Sequence, residues 1–229
     1  MGQLILLRHG QSAWNLENRF TGWIDVDLSE KGVEEAIKSG QIMATEGLAP
    51  DLVHTSVLDR AIRTAELALR EMGRTWLPVQ RHWRLNERHY GALQGLNKDE
   101  MRKQYSPEQV HLWRRSYDVR PPALDRSDPT HSVHDPRYAD VPSELVPDAE
   151  CLGDVRERML PYYFDVMVPQ LRAGMSLLVS AHGNSIRALI MYLENISEEE
   201  IPSLEIPNGV PIVYEVDDKL NATRTHWLG

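Results

Sequence analysis

Cysteine, phenylalanine, long apolar runs and excess positive charge are scarce or missing in this 229-residue sequence. The single cysteine, Cys151, excludes an internal disulfide and a cysteine-rich zinc site. No apolar run approaches a bilayer span, and no charged-then-apolar leader precedes Leu4. We therefore expect a cytoplasmic protein with no membrane partner. The net charge of −9 disfavours a nucleic-acid partner, which would require a basic face.

The residues that are present indicate an ordinary globular protein. Hydrophobic residues make up 41% and charged residues 26%, and the length suffices for one large core or two small domains. Strand and helix patterns alternate, which predicts the α/β class. A proline-rich, aperiodic insertion near 117–150 is expected to form, in part, a covering loop. The pattern at Leu152–Leu171 predicts a helix that is kinked by its prolines. Residues Pro211–Val216 predict a last strand, and the proline in it places this strand at the edge of the sheet.

Two apolar runs end abruptly in a histidine followed by a glycine. Leu4–Leu7 is followed by Arg8-His9-Gly10, and Met175–Ala181 is followed by His182-Gly183-Asn184. Ligand sites of parallel sheets lie beyond the carboxyl ends of the strands. Either histidine alone is equally well explained as a strand-end residue satisfied by its neighbours. If the two strands are adjacent, however, both imidazoles open into one pocket, a pairing that chance rarely produces.

Further polar residues follow other predicted strands or lie in glycine-bounded loops. Arg60 lies just past the strand Leu52–Thr55, and Glu87 lies in a polar loop of the kind that often carries function. Lys98 is at a predicted helix start, where a cation opposes the helix dipole, so it is expected to face an anion. For two pairs of residues, the sequence leaves a binding role and a purely structural role equally open. Thr21 and Gly22 could bind an anion or simply form a turn. Arg114 and Arg115 could bind an anion or simply complement the charge at the end of a helix.

These residue types favour phosphoryl transfer over other chemistries. Carboxylates near the histidines are too few for a metal cage, and neither a Gly-x-x-x-x-Gly-Lys loop nor a Gly-x-Ser-x-Gly elbow occurs. A histidine ringed by guanidinium groups can accept a phosphoryl group while the arginines neutralise its oxygens. Glu87 could then exchange a proton with a substrate hydroxyl.

Several motifs together resemble the cofactor-dependent phosphoglycerate mutases of the histidine phosphatase superfamily. They are Arg-His-Gly-Gln-Ser-Ala-Trp-Asn (8–15), Thr21-Gly22, Asn-Glu-Arg-His-Tyr-Gly-Ala-Leu-Gln-Gly (86–95), Trp-Arg-Arg-Ser-Tyr (113–117) and His-Gly-Asn (182–184). The resemblance covers nearly the whole chain. It implies one domain over residues 1–229, with a mostly parallel sheet flanked by helices on both faces.

The resemblance also implies an activity and its requirements. The reaction interconverts 3-phosphoglycerate and 2-phosphoglycerate, in glycolysis and gluconeogenesis. It uses 2,3-bisphosphoglycerate to prime a phosphohistidine and needs no metal. The implied partners are small phosphoglycerates and further copies of the chain, in a homodimer or homotetramer.

Roles for individual residues follow from the same resemblance. His9 is implied as the nucleophile, Glu87 as the proton donor and acceptor, and His182 as a group that stabilises the transferring phosphoryl. The implied catalytic set is completed by Arg8 and Arg60. The implied substrate-binding set is Arg8, His9, Gly10, Gln11, Ser12, Ala13, Trp14, Asn15, Thr21, Gly22, Arg60, Glu87, Arg88, His89, Tyr90, Lys98, Arg114, Arg115, Gly183 and Asn184.

Two departures from the family pattern and three competing interpretations remain. Gln11 stands where glutamate is common, and relatives often continue beyond His226 with a tail that helps cover the pocket. Without such a tail, we expect faster hydrolysis of bisphosphoglycerate relative to the mutase rate.

A phosphatase is disfavoured by Lys98, Arg114 and Arg115, which suit a second anionic group. A bisphosphoglycerate synthase is disfavoured by Ser12, because such relatives carry glycine at this position. A non-catalytic module that only binds a phosphorylated ligand is disfavoured by the presence of both His9 and Glu87.

Overall fold

A six-stranded mixed sheet forms the centre of the structure, a computed structural model that describes residues 2–228. The strands are β1 (Gly2–Arg8), β2 (Leu52–Thr55), β3 (Val79–Arg81), β4 (Ser176–Ala181), β5 (Pro211–Val216) and β6 (Ala222–Trp227). Their order across the sheet is β3-β2-β4-β1-β5-β6. The pairings among β3, β2, β4 and β1 are parallel, and β5 and β6 are antiparallel. The predicted α/β class and the mostly parallel sheet are confirmed.

Helices cover both faces of this sheet. They are α1 (Ala13–Leu16), α2 (Glu30–Thr45), α3 (Asp59–Glu71), α4 (Lys98–Tyr105), α5 (Pro107–Arg115), α6 (Leu152–Tyr162), α7 (Val168–Arg172) and α8 (Gly183–Leu193). Within residues 2–228, none of these is long and apolar enough to cross a membrane.

The four apolar residues of β1 are divided between two cores. Leu4 and Leu6 belong to the cluster that includes residues of α6 and α8, whereas Ile5 and Leu7 belong to the cluster that includes residues of α3. Successive side chains of a strand point to opposite faces, so a strand covered on both sides needs apolar residues at every position. This explains the uninterrupted run that precedes Arg8.

The kink predicted within Leu152–Leu171 is present as a change of helix type. Pro161 lies inside α6, which passes into a π-helical turn at Tyr163–Met167 before α7 begins with Pro169 in its first turn. Proline lacks the N–H that an α-helix needs, and π-turns commonly accommodate such interruptions.

The predicted edge position of Pro211–Val216 is wrong. This strand, β5, lies between β1 and β6. Pro211 is the first residue of the strand, a position at which proline is tolerated. The edge strand next to β5 is β6, which has the sequence Ala-Thr-Arg-Thr-His-Trp and is largely exposed. It therefore lacks the apolar run by which the central strands were predicted.

The insertion contains three short 3₁₀ turns. These turns are Ser132–His134, Pro136–Tyr138 and Ser143–Leu145. Tyr138 and Val146 form a small apolar cluster with Trp23, and the Asn86 amide donates a hydrogen bond of 2.9 Å to the Tyr138 hydroxyl. The insertion therefore supports the loop that carries Glu87.

Candidate active site

Adjacent parallel strands bring the two strand-end histidines together. β1 pairs with β4 so that Arg8 is opposite Ala181, and the His9 amide donates a 3.0 Å hydrogen bond to the Ala181 carbonyl. The His9 and His182 rings lie with centroids 5.0 Å apart and planes tilted by 60°. The expectation that both imidazoles share one site is therefore met by the sheet order.

The His9 ring is held in the form that a nucleophile requires. Its Nδ1 lies 2.6 Å from the Gly10 carbonyl oxygen, which can only accept, so Nδ1 carries the proton and Nε2 keeps a free lone pair. Burial, together with the charges of Arg60 and Arg8, lowers the pKa of His9 well below its usual value. The imidazole is therefore neutral at pH 7 and needs no base to activate it.

His182 is fixed by a serine that follows β2. The Ser56 hydroxyl lies 2.8 Å from Nε2 of His182, whereas the buried Nδ1 has no hydrogen-bond partner. Burial, Arg60 and His9 lower the pKa of His182 well below its usual value, so this ring too is neutral. If the Ser56 hydroxyl donates to Nε2, Nδ1 carries the proton and is available to an anionic ligand.

His9 lines a strongly cationic cavity of about 110 Å³, whereas His182 does not line it and lies against the His9 ring. Because one water occupies about 10–15 Å³ of such a cavity, there is room for a small organic anion. It is lined by seven cationic side chains and two carboxylates, although the chain as a whole carries a net charge of −9. The lining residues are Arg8, His9, Asn15, Arg19, Phe20, Thr21, Gly22, Arg60, Glu87, Tyr90, Lys98, Arg114, Arg115, Gly183, Asn184, Arg187 and Glu205.

Backbone carbonyls hold the arginines nearest the histidines. Arg8 donates a 2.6 Å hydrogen bond to Ile206, and Arg60 donates hydrogen bonds of 2.7 and 3.1 Å to Gly22 and Ile24. Burial lowers the pKa of Arg60 to about 10, so the group stays charged at pH 7. Carbonyl oxygens orient a guanidinium without cancelling its charge, which leaves that charge for a ligand.

Four buried polar atoms beside the cavity have no hydrogen-bond partner. They are Arg8 Nε, Thr21 Oγ1, Arg115 Nη1 and His182 Nδ1. An unsatisfied buried donor costs about 1–3 kcal/mol, so such atoms are few unless a ligand completes them. All four can donate, and an anion rich in oxygen atoms, such as a phosphate ester, would satisfy them together.

The Glu87 carboxylate is held by main-chain amides. Its Oε1 accepts hydrogen bonds from the amides of Arg88, at 2.7 Å, and Asn184, at 3.2 Å. Asn184 lies in the first turn of α8, directly after His182 and Gly183. The carboxylate and both histidines are thus tied to the same end of the sheet, and Glu87 lines the cavity together with His9.

The side chain of Asn184 is fixed by two arginines. Its Oδ1 accepts hydrogen bonds of 3.1 Å from Arg88 and 2.7 Å from Arg187. Burial lowers the pKa of Arg187 to about 10. Arg88 does not line the cavity, so it acts on the cavity by holding Asn184. Arg187 lines it, although the sequence interpretation did not include it.

A second group of cations comes from α4 and α5. Lys98 donates a 2.6 Å hydrogen bond to the Arg19 carbonyl, and burial, followed by the charges of Arg114 and Arg102, lowers the pKa of Lys98 to about 8. Arg115 forms a 2.5 Å ion pair with Glu205. Lys98 lines the cationic cavity, and its expected role in facing an anion stays a prediction.

The whole implied substrate-binding set remains a prediction, and seven of its residues do not line the cavity. Gly10 backs onto Gly32, whose carbonyl oxygen would be 2.1 Å from an added Cβ. Ser12 caps α1, and His89 is fully buried. The full set is Gly10, Gln11, Ser12, Ala13, Trp14, Arg88 and His89.

The cavity also contains residues that the sequence interpretation missed. Arg187 had a recognisable signal, because it is the one charged residue in the apolar stretch from Ser185 to Leu193. No comparable signal marks the others, which lie in turns or irregular segments. The missed lining residues are Arg19, Phe20, Arg187 and Glu205, and Ser56 was missed behind His182.

The expectation that the insertion covers the site is wrong for this structure. No residue between 117 and 150 lines the cavity within the part of the chain that the structure describes. The insertion is instead held behind the Glu87 loop by the contacts of Tyr138 with Asn86 and Trp23. Among residues 2–228, no group of three or more histidine, cysteine, aspartate or glutamate side chains is arranged to hold a metal ion.

Comparison with known proteins agrees with the geometry. Residues 4–226 match the family described as "Histidine phosphatase superfamily (branch 1)". The chain belongs to this superfamily. It is 55% identical, over 98% of its length and 91% of the relative's, to a protein of Thermobifida fusca strain YX named 2,3-bisphosphoglycerate-dependent phosphoglycerate mutase.

A second relative and a solved structure extend the comparison. The relative is a protein of the same name from Nitratidesulfovibrio vulgaris, 54% identical over 100% of this chain and 92% of its own. The structure of Bacillus stearothermophilus YhfR superimposes with a TM-score of 0.74, covering 98% of this chain and 95% of its own at 24% identity. That last likeness concerns the fold alone. The superfamily indicated by the sequence motifs is thus confirmed.

Proposed function

We propose that this chain is a 2,3-bisphosphoglycerate-dependent phosphoglycerate mutase that interconverts 3-phosphoglycerate and 2-phosphoglycerate. The proposal is carried by one observation: a neutral, buried His9 with a free Nε2 adjoins a cavity with seven cationic side chains. The name of both relatives supports the same activity. The cations of α4 and α5, which add to those beside the histidines, favour a substrate with two anionic groups.

In the proposed reaction, His9 takes the phosphoryl group in line. Nε2 forms a bond to phosphorus while the bond from phosphorus to the substrate oxygen breaks. The charges of Arg8 and Arg60 neutralise the phosphoryl oxygens, and the Nδ1 hydrogen of His182 donates to one of them. The Gly10 carbonyl accepts from His9 Nδ1 and so stabilises the ring as it becomes positively charged.

Glu87 moves the proton that accompanies each transfer. In the primed enzyme, the free hydroxyl of 3-phosphoglycerate attacks phosphohistidine. The Glu87 carboxylate takes the proton of that hydroxyl, and the N–P bond breaks to give 2,3-bisphosphoglycerate. The other phosphoryl group of this bisphosphoglycerate then passes to Nε2 of His9, and the protonated Glu87 carboxyl group gives its proton to the oxygen that leaves phosphorus. After both transfers, His9 is phosphorylated again, Glu87 is again a carboxylate, and the product is 2-phosphoglycerate.

The unsatisfied donors and the cations that line the cavity fit a ligand with two anionic groups. Arg8, Thr21 and His182 would hold one anionic group, and Lys98, Arg114 and Arg115 another. When bound, 2,3-bisphosphoglycerate supplies the phosphoryl group that primes His9. We further propose that the protein is cytoplasmic and forms a homodimer or homotetramer, as the resemblance implies, and that it needs no metal.

Turnover of 3-phosphoglycerate with and without added 2,3-bisphosphoglycerate tests this proposal. We expect enzyme stripped of phosphate to be nearly inactive alone and to gain full mutase activity on addition of catalytic amounts of bisphosphoglycerate. A phosphatase would instead release inorganic phosphate from 3-phosphoglycerate at a rate independent of bisphosphoglycerate. Release of phosphate without formation of 2-phosphoglycerate would contradict the mutase assignment.

The pH dependence of kcat/KM should reflect Lys98. Its pKa is lowered from the usual value to about 8, so the free enzyme loses this positive charge as the pH rises through about 8. We expect kcat/KM for 3-phosphoglycerate to fall above that pH through a rise in KM. Lys98→Arg, which stays protonated, should remove this fall. An unchanged alkaline limb in Lys98→Arg would show that another group causes it.

Glu205 should weaken the binding of anionic ligands. Its carboxylate pairs with Arg115 at 2.5 Å while the side chain is 70% exposed, so it competes with a ligand for this guanidinium. Glu205→Gln is expected to lower KM for 3-phosphoglycerate several-fold, since a charge pair near a surface is worth about 1 kcal/mol. Glu200→Gln serves as the control on the same segment, and an unchanged KM in Glu205→Gln would contradict this reading.

A further inference from the structure

A buried ion pair behind the cavity contacts the segment that carries Glu87. Glu150 and Arg158 are joined by hydrogen bonds of 2.6 Å from Arg158 Nε and 3.1 Å from Nη2. Their side chains are 3% and 9% exposed. Neither residue lines the cavity, so neither is placed to touch a substrate there.

The Arg158 head group also donates to the main chain around Glu87. Nη1 donates to the Arg84 carbonyl at 2.6 Å, and Nη2 donates to the carbonyls of Asn86 and Glu87 at 3.0 and 2.9 Å. Three carbonyls of one short segment therefore meet a single guanidinium.

Glu150 holds the same segment from its other end. Its Oε2 accepts a 2.8 Å hydrogen bond from the His89 amide, and its own amide donates a 2.8 Å bond to the His89 carbonyl. Residues 84–89 are thus attached to the pair on both sides of Glu87. The carboxylate of Glu87 projects from the middle of this attachment.

Trp23 completes the support. Its indole N–H donates a 2.6 Å hydrogen bond to the Glu87 carbonyl, and the Arg158 guanidinium lies 5.5 Å from the centre of its ring. The Glu87 carbonyl therefore accepts from two buried donors that also contact each other. These two hydrogen bonds restrict the main-chain rotation of Glu87, whose carboxylate must point at the substrate.

Stability alone is a weak reason for such a pair. Removing two charges from water is costly, and buried ion pairs are often no more stabilising than apolar residues of the same size. Orientation is a better reason, because a catalytic group misplaced by about 1 Å can lose about 10²-fold in rate. The planar fork of arginine suits the simultaneous binding of a carboxylate and several carbonyls.

We propose that Glu150 and Arg158 are positioning residues that aim Glu87 at the substrate hydroxyl. This inference rests on the proposed role of Glu87 in proton transfer. It assigns to the pair no contact with substrate. The pair acts through the main chain of residues 84–89.

The central test replaces Arg158 by lysine, which keeps the charge but cannot make the same set of contacts. We expect kcat of the mutase reaction to fall by about 10²-fold, with KM close to that of the wild type. A second variant, Glu150→Gln, keeps an acceptor for the His89 amide and should fall in the same direction by less. Arg120→Lys is the matched control, because Arg120 forms a surface ion pair with Asp154.

A substrate that needs no proton donor separates positioning from general damage. p-Nitrophenyl phosphate loses its phosphoryl group as a stable phenolate, so the burst of p-nitrophenolate reports attack by His9 alone. We expect Arg158→Lys to keep this burst while the mutase rate falls. An equal fall in both would mean that the pair supports the cavity as a whole and would overturn the inference, as would an unchanged mutase rate.

A double-mutant cycle identifies the route of the effect. In a Glu87→Gln background, Arg158→Lys should cause no further loss, because the group that it positions is already gone. A further loss by the same factor would show that the pair acts elsewhere and would overturn the inference. If Glu87→Gln itself keeps the mutase rate, the proposed role of Glu87 fails first, and that result is distinguishable from failure of the positioning role.

Discussion

Replacing His9 by alanine is expected to abolish phosphoenzyme formation and mutase turnover. His9 is the neutral imidazole whose Nε2 is free beside the cationic cavity, whereas Nε2 of His182 is engaged by Ser56. Loss of a covalent nucleophile costs on the order of 10⁶-fold in rate, which places the variant at the limit of detection. The cavity itself keeps all seven cations, so binding of 3-phosphoglycerate should persist.

Labelling with bisphosphoglycerate that carries radioactive phosphate, followed by peptide mapping under alkaline conditions, measures this result. The wild type should carry the label on the peptide that contains His9, and His9→Ala should carry none. His226→Ala is the control, because His226 is an exposed residue of the edge strand β6. Label on His182 or on a serine of the wild type would contradict the assignment.

The location of His9 at this site was predictable from the sequence for a definite physical reason. A strand covered on both faces must be apolar at every position, so the end of the run before Arg8 marks the end of the strand. Ligand sites of parallel sheets lie at such ends. The same argument applied to the run before His182, and the pairing of β1 with β4 then placed the two histidines at one site.

The parts that the sequence did not reveal are those without a repeating pattern. β6 is exposed and polar, so it carries no apolar signal. Glu205 lies in an irregular stretch between Ile201–Ser203 and β5, and only the tertiary structure places it beside Arg115. The insertion is likewise aperiodic, and its position behind the Glu87 loop depends on the packing of Tyr138 on Trp23.

The buried ion pair behind the site is another feature that could not be predicted from the sequence. Glu150 and Arg158 are eight residues apart, and within a sequence of 26% charged residues neither stands out. Their burial follows from the docking of α6 against the loop of residues 84–89, where the arginine meets three main-chain carbonyls. An ion pair of this kind can be recognised only when the positions of the main-chain carbonyls that it contacts are known.

Replacing Glu87 by glutamine is expected to lower kcat of the mutase reaction by roughly 10²–10⁴-fold, the usual contribution of a general acid–base. Glutamine has nearly the same shape, and its carbonyl oxygen can still accept from the amides of Arg88 and Asn184. The main-chain contacts of the segment are unaffected. The variant therefore removes proton exchange and leaves the cavity and His9 in place.

Steady-state rates with 3-phosphoglycerate, together with the burst of p-nitrophenolate from p-nitrophenyl phosphate, measure this effect. KM for 3-phosphoglycerate should change little, and the burst should remain, because a phenolate leaves without a proton. Glu215→Gln is the control, since Glu215 is an exposed residue of β5 that accepts a hydrogen bond from Gln3. A Glu87→Gln enzyme that kept most of its mutase turnover would exclude Glu87 from proton transfer. A loss of the burst in parallel with the mutase rate would instead mean that the carboxylate acts on His9 or on the phosphoryl group, because proton transfer to the leaving oxygen is not needed in that reaction.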